Sequence, residues 1–150
     1  MEMNLDSDIV LSLKALDDQD PTLAKAHLGN ALSLLKGSLP EKSWVGLYLF
    51  ENGRLILGSF QGTPACEVIQ IGKGVVGTCY QKGKTIFVKD VATFPGYICC
   101  DATAASEICV PIVKDGQIVA ILDIDRPDHH DFESEVATYE SIAEILANWA

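Results

Sequence analysis

Residues 106–126 hold two alternating apolar runs that meet at Lys114-Asp115-Gly116-Gln117, the pattern of a β-hairpin. Its register decides which side chains share a face, because a slip of one residue moves every side chain to the other side of the sheet. A two-residue turn at Asp115-Gly116 pairs Lys114 with Gln117 and sets Glu107 on the face opposite Asp123. A three-residue loop with Gly116 left-handed pairs Val113 with Gln117 instead. The second register is preferred. It gathers Ile108, Val110, Ile112, Ile118, Ala120, Leu122 and Ile124 on one face, as a half-buried sheet requires. The other face then carries Glu107, Cys109, Pro111, Val119, Ile121, Asp123 and Asp125. Three acids among apolar neighbours suggest the floor of a pocket.

The rest of the chain supplies the elements around this hairpin. Residues 9–16 are amphipathic. Asp20 can cap a following helix with Pro21 at its first position. That helix runs to about Lys36 on a stripe of Leu23, His27, Ala31, Leu34 and Leu35, with Gly37 as a left-handed cap. His27 reads as a partly buried, hydrogen-bonded histidine. Residues 44–50 alternate as a strand, with Trp44, Gly46 and Tyr48 on one face. Asn52-Gly53 turns the chain into a second strand over 55–60. Strands are expected at 66–71 and 85–88, a short helix at 75–81 behind Gly72-Lys73-Gly74, and a long loop over 90–105. The glycine spacing fits neither a phosphate loop nor a dinucleotide fingerprint, so these glycines read as structural. Phe132, Val136, Tyr139, Ala143, Leu146 and Trp149 mark a closing helix. This order predicts an α+β domain spanning 1–150, with about six antiparallel strands and helices gathered on one side.

Composition narrows the function. With 11 Lys and Arg against 21 Asp and Glu, the net charge of −10 argues against a nucleic-acid surface. No apolar run reaches a membrane span, and the N-terminus lacks the basic start of a signal peptide, so a cytoplasmic protein is expected. Five cysteines without paired spacing suggest thiols in place of a disulfide scaffold. There is no Cys-x-x-Cys, which counts against a zinc knuckle or a thioredoxin-type centre. Cys79 and Cys109 read as buried and inert, whereas Cys99 and Cys100 sit in an accessible loop where either could react. His129-His130 reads as a solvated turn. Asp123 and Asp125, two apart on an apolar strand, crowd like charges on one face. This should raise at least one pKa and leave an acid able to donate a proton. A solvated sheet edge or a calcium site of carboxylates is the alternative.

Several stretches together carry a resemblance: Ser43-Trp44-Val45-Gly46-Leu47-Tyr48, Phe60-Gln61-Gly62, Gly72-Lys73-Gly74-Val75, Asp90-Val91, Phe94-Pro95-Gly96-Tyr97-Ile98-Cys99-Cys100-Asp101, Ser106-Glu107-Ile108 and Leu122-Asp123-Ile124-Asp125. The chain resembles the GAF-domain free methionine-(R)-sulfoxide reductases over nearly its whole length. The resemblance implies that Cys100 is the attacking thiolate and Cys66 the resolving cysteine. Trp44 and Tyr48 would receive the methyl end of the substrate. Glu107, Asp123 and Asp125 would surround the sulfoxide and the amino acid head, with Asp125 as proton donor. It further implies thioredoxin or a similar dithiol as reductant, no metal or organic cofactor, and pairing into a homodimer. Val76 stands where many members have a further cysteine, so regeneration rests on Cys66 unless Cys79 or Cys99 substitutes. A non-catalytic GAF small-molecule sensor would keep Trp44 and the acids but be indifferent to Cys100. A thiol redox sensor would need the cysteines and ignore Trp44.

Overall fold

The computed structural model describes residues 7–17, 19–100 and 102–150. Asp101 of the loop motif and Asp18 lie outside them, as does the N-terminal segment used above to argue against a signal peptide. The described residues form four α-helices, α1 (Ser7–Leu16), α2 (Ala24–Gly37), α3 (Gly74–Lys82) and α4 (Val136–Leu146). Six strands, β1 (Trp44–Glu51), β2 (Arg54–Gln61), β3 (Val68–Ile69), β4 (Ile86–Val88), β5 (Ser106–Lys114) and β6 (Gln117–Arg126), form one sheet in the order β3-β2-β1-β6-β5-β4. All pairings are antiparallel. The α+β architecture is therefore the expected one. Among the described residues no helix is long and apolar enough to cross a membrane.

Strand alternation separates two cores. Val45, Leu47, Ile108, Val110, Ile112, Ala120, Leu122 and Ile124 face α1, α2 and α4, where Ile9, Leu32, Leu35, Tyr139 and Ile142 close the larger cluster. The opposite face, with Trp44, Tyr48, Cys109 and Ile121, packs on α3 through Val75, Val76 and Cys79. Three helices thus gather on one side as expected, and the short α3 lies across the other. His27 is buried on the larger side, its ring centroid 5.2 Å from that of Trp149.

The hairpin resolves the register question in an unforeseen way. The turn is the two-residue one, with Asp115 at φ 53° and Gly116 at φ 76°, and Lys114 pairs with Gln117. That is the arrangement first set aside. Val113 then pairs with Ile118, but Ile112 pairs with Ala120, so Val119 is an extra residue bulged out of the ladder. The bulge restores the face assignment the apolar pattern demands. Glu107 now lies opposite Asp125 and Cys109 opposite Asp123. Only Ile118 and Val119 exchange places relative to expectation: Ile118 packs with the α3 cluster and Val119 with the larger core.

Three local expectations change. Gly37 ends α2 without a left-handed cap; the chain continues in right-handed geometry through Ser38, whose N–H and hydroxyl both donate to Leu35 O. The left-handed glycine cap belongs to α3, where Gly83 (φ 65°) donates to the carbonyls of Cys79 and Tyr80. The strand expected at 66–71 contracts to Val68–Ile69, because Cys66 is held by the site instead of the ladder. Asp20 does cap its turn, accepting from Thr22 N, but that turn is a single 3₁₀ turn that leaves Leu23 exposed.

Candidate active site

Two rows of Cα partners cross the sheet on the α3 side. One runs Trp44, Asp125, Glu107, Val88; the next runs Gly46, Asp123, Cys109, Ile86. Side chains from these rows form the floor of a narrow cleft with a cavity volume of about 30 Å³, well below the range usual for small-molecule sites. Trp44, Tyr48, Glu107, Asp123, Asp125 and Cys100 all line it, so six of the seven residues singled out from the sequence meet in one place. The seventh, Cys66, is joined to Cys100 by a disulfide across a Cα–Cα distance of 5.4 Å. Cys99, its neighbour, is an exposed thiol, and Cys79 and Cys109 are buried thiols.

The aromatic wall depends on glycine. A Cβ on Gly46 would lie 2.4 Å from Trp44 Cη2 and 2.6 Å from Phe60 Cβ, so only a residue without a side chain lets the indole lie across β1. Trp44 stacks on Phe60 (centroids 5.5 Å apart) and on Tyr48 (6.2 Å), and its Nε1 donates to Thr63 O at 2.9 Å. The Tyr48 hydroxyl donates to Cys66 O at 2.9 Å, tying the aromatic wall to the disulfide. Burial, followed by Asp123 and Asp125, pushes the phenol well above its usual range, so it stays a donor. Gly46→Ala should lower stability by about 1–3 kcal/mol, read as a thermal-melting decrease with an altered tryptophan emission; an unchanged melt would show that the wall yields without cost.

The acid cluster is buried: Glu107 is 5 % exposed, Asp123 4 % and Asp125 9 %. Glu107 lies against both aspartates, and a hydrogen bond between any two of these carboxyls requires a proton. Burial first, then Asp123 and Asp125, hold the Glu107 carboxyl well above the ordinary carboxylate range. The Cys109 thiol reaches Glu107 Oε2 at 3.4 Å and Asp123 Oδ1 at 3.5 Å, and burial together with these acids raises its pKa as well. Burial pushes the Cys79 thiol up to about 12, consistent with an inert role. Among the described residues, the only three metal-capable groups within 4.8 Å of one another are Glu107, Cys109 and Asp123. A mixed set with a thiol differs from the all-oxygen shell of calcium. His129 and His130 pair with separate carboxylates, Asp90 and Glu135, and do not converge.

Part of the cleft was not read from the sequence. Lys73, Gly74, Val75 and Val76, at the start of α3, line the wall near the aromatics and acids. The helix opens without a side-chain cap, and its first residues, at the positive end of the helix dipole, line the cleft. The glycines were the available signal. Gly74 adopts φ 63° under Ile98, and a Cβ on Gly77 would come 2.3 Å from Gln70 O, so α3 is pressed against the preceding turn. Tyr97 and Ile98, from the loop that carries Cys100, cover the opening.

The GAF domain family matches residues 23–148. The chain is 44% identical to the free methionine-R-sulfoxide reductase of Escherichia coli over 110 residues, covering 73% of this chain and 67% of that protein. It is 40% identical to the free methionine-R-sulfoxide reductase of Saccharomyces cerevisiae over 133 residues, covering 83% and 73%. The solved reduced form of the Staphylococcus aureus enzyme fRMsr superimposes with a TM-score of 0.87 at 42% identity, covering 95% of this chain and 93% of that one. With this fold, and with the aromatic wall, acid cluster and paired cysteines assembled around one cleft, the chain belongs to the family of GAF-domain free methionine-R-sulfoxide reductases.

Proposed function

We propose that the protein reduces free L-methionine (R)-S-oxide to L-methionine, with Cys100 as the attacking thiolate, Cys66 as the resolving thiol and thioredoxin or a similar dithiol as reductant. The observation that carries this reading is the disulfide between Cys66 and Cys100 at the edge of a cleft that also holds both aromatics and all three acids. The substrate methyl rests on Trp44 and Tyr48, an electron-rich surface suited to the partly positive sulfur end. Asp125, in register between Trp44 and Glu107, presents the proton that the trio shares to the sulfoxide oxygen. Cys100 then attacks the sulfur, methionine leaves, and the oxygen stays on Cys100 as a sulfenic acid. The Cys66 thiol displaces that oxygen as water and forms the disulfide, which the external dithiol reduces. No metal or organic cofactor enters this sequence of steps.

The two ends of the cleft suit a free amino acid. Asp123 and the acid left ionised beside it hold the ammonium group, and the start of α3 with Lys73 receives the carboxylate. A peptide-bonded substrate has neither charge and would leave both walls unmatched. On the same reading the whole chain is one catalytic domain working in the cytoplasm, and pairing into a homodimer rests on the family likeness alone.

The test is NADPH oxidation coupled through thioredoxin and its reductase. Free (R)-sulfoxide should be turned over, with kcat/KM for the (S)-epimer and for N-acetylated, amidated substrate lower by roughly 10²-fold or more. Equal rates with blocked substrate would defeat the two-ended recognition. Binding of methionine sulfoxide without turnover would mark a sensor.

A further inference from the structure

We propose that Cys109 is a positioning residue for the acid trio: its thiol, bridging Glu107 and Asp123, aims the two carboxyls and stabilises the ionised one. This rests on the reading of the cleft as the reductase site, but its central measurement does not need turnover. Cys109 is fully buried on β5, faces Asp123 on β6 and Ile86 on β4, and places Sγ 3.4 Å from Glu107 Oε2 and 3.5 Å from Asp123 Oδ1. One S–H can serve one carboxylate at a time, so it donates to whichever acid is charged. It therefore favours a state in which one of the two carboxyls it touches is ionised and the other keeps its proton. The groups that act on it come from every neighbouring element: Glu107 on its own strand, Asp123 and Asp125 on β6, and Cys79 on α3. Tyr48 on β1 feels the same cluster, and Tyr97 does so from the covering loop. A resolving or nucleophilic role does not suit it, since it stays a protonated thiol among acids and does not line the cleft beside Cys100.

The experiment compares Cys109→Val, Cys109→Ala and Cys109→Ser with the intact protein. Side-chain carboxyl carbon resonances of Glu107, Asp123 and Asp125 are followed by NMR across pH, and turnover of free methionine (R)-sulfoxide is measured over the same range. Loss of the S–H donor should move the Glu107 titration to higher pH by about half to one unit, because the ionised neighbour loses a hydrogen bond. The alkaline limb of kcat should move with it while KM changes less than about twofold. The serine variant, which keeps a donor, should return both towards the intact values. Valine gives the deletion with the space filled and alanine gives it without added bulk, so one misfolded variant does not decide the outcome. Unmoved carboxyl titrations in the valine and alanine variants would overturn the proposal, as would serine behaving like them, since packing alone would then explain the effect. If the intact protein shows no turnover, the reductase reading fails, and the carboxyl titrations still decide the role of the thiol.

Discussion

Cys100→Ser is expected to abolish reduction of methionine sulfoxide even in a single turnover, whereas Cys66→Ser should release one methionine per protein molecule and then stop. The hydroxyl of serine remains protonated near neutral pH and lacks the nucleophilicity of a thiolate, so the first variant should fall by about 10³-fold or more. In the second, Cys100 still attacks and becomes a sulfenic acid, but the partner that sits within a 5.4 Å Cα–Cα distance is gone. Steady-state turnover with thioredoxin should then drop by roughly 10²-fold, limited by slow direct reduction of the sulfenic acid. Equimolar protein and substrate, with methionine quantified by chromatography without reductant, separates the two. One equivalent of methionine from Cys100→Ser would place the attack elsewhere, with exposed Cys99 as the next thiol to remove. Sustained recycling in Cys66→Ser would show that another thiol resolves the intermediate. Cys79 is poorly suited to that task, since it lies buried on α3 with its pKa pushed up to about 12.

These chemical assignments drew on residues whose grouping was partly legible in the chain. Period-two alternation put Trp44 and Tyr48 on one face of β1, and the apolar demand of the larger core put Glu107, Asp123 and Asp125 on one face of the hairpin. The route by which the hairpin achieves this was not legible. Asp115-Gly116 favours the two-residue turn by its own chemistry, the pattern of faces requires the other parity, and the conflict is settled by bulging Val119. A bulge has no residue signature comparable to an Asn-Gly turn; it is forced by counting residues between two constraints. The polar setting of Cys109 was not legible for a related reason. Its burial was foreseen, but its two polar partners come from Asp123 on the facing strand and from Glu107 two residues away, and a thiol among isoleucines reads as a small hydrophobe until that register is known. The start of α3 escaped because glycines at 72, 74 and 77 fit no phosphate motif. What they provide is close approach of a helix to a turn, which sets the uncapped start of α3 in the cleft wall.

Glu107→Gln should move activity and stability in opposite directions. Glutamine keeps the size of the side chain and much of its hydrogen bonding but cannot hold or pass a proton, so kcat should fall by about 10² to 10⁴-fold, the range for a lost general acid. In the intact protein the rate should decline as pH rises through the raised Glu107 pKa, because the trio then loses the proton destined for the sulfoxide oxygen. Glu107→Gln should lack that alkaline limb in its residual rate. Stability follows by linkage. Burial and the neighbouring aspartates raise the carboxyl in the folded state above its unfolded value near 4.5, so the folded protein binds more protons than the unfolded chain between the two values. The contribution of Glu107 to stability is therefore fully present below the unfolded pKa and is lost as pH rises through the folded one. Above the unfolded pKa the folded state must either ionise Glu107 beside the aspartates or hold its proton against solvent, and a neutral amide incurs neither cost. The variant should then be about 1–2 kcal/mol more stable than the intact protein at pH 8, and closer to it at pH 4. At roughly 2–4 °C per kcal/mol the gain in melting temperature is measurable by calorimetry. A variant that melts lower at pH 8, or whose deficit grows with pH, would mean that Glu107 is held as a stabilised carboxylate, and the proton would then have to be sought on Asp125 or Asp123.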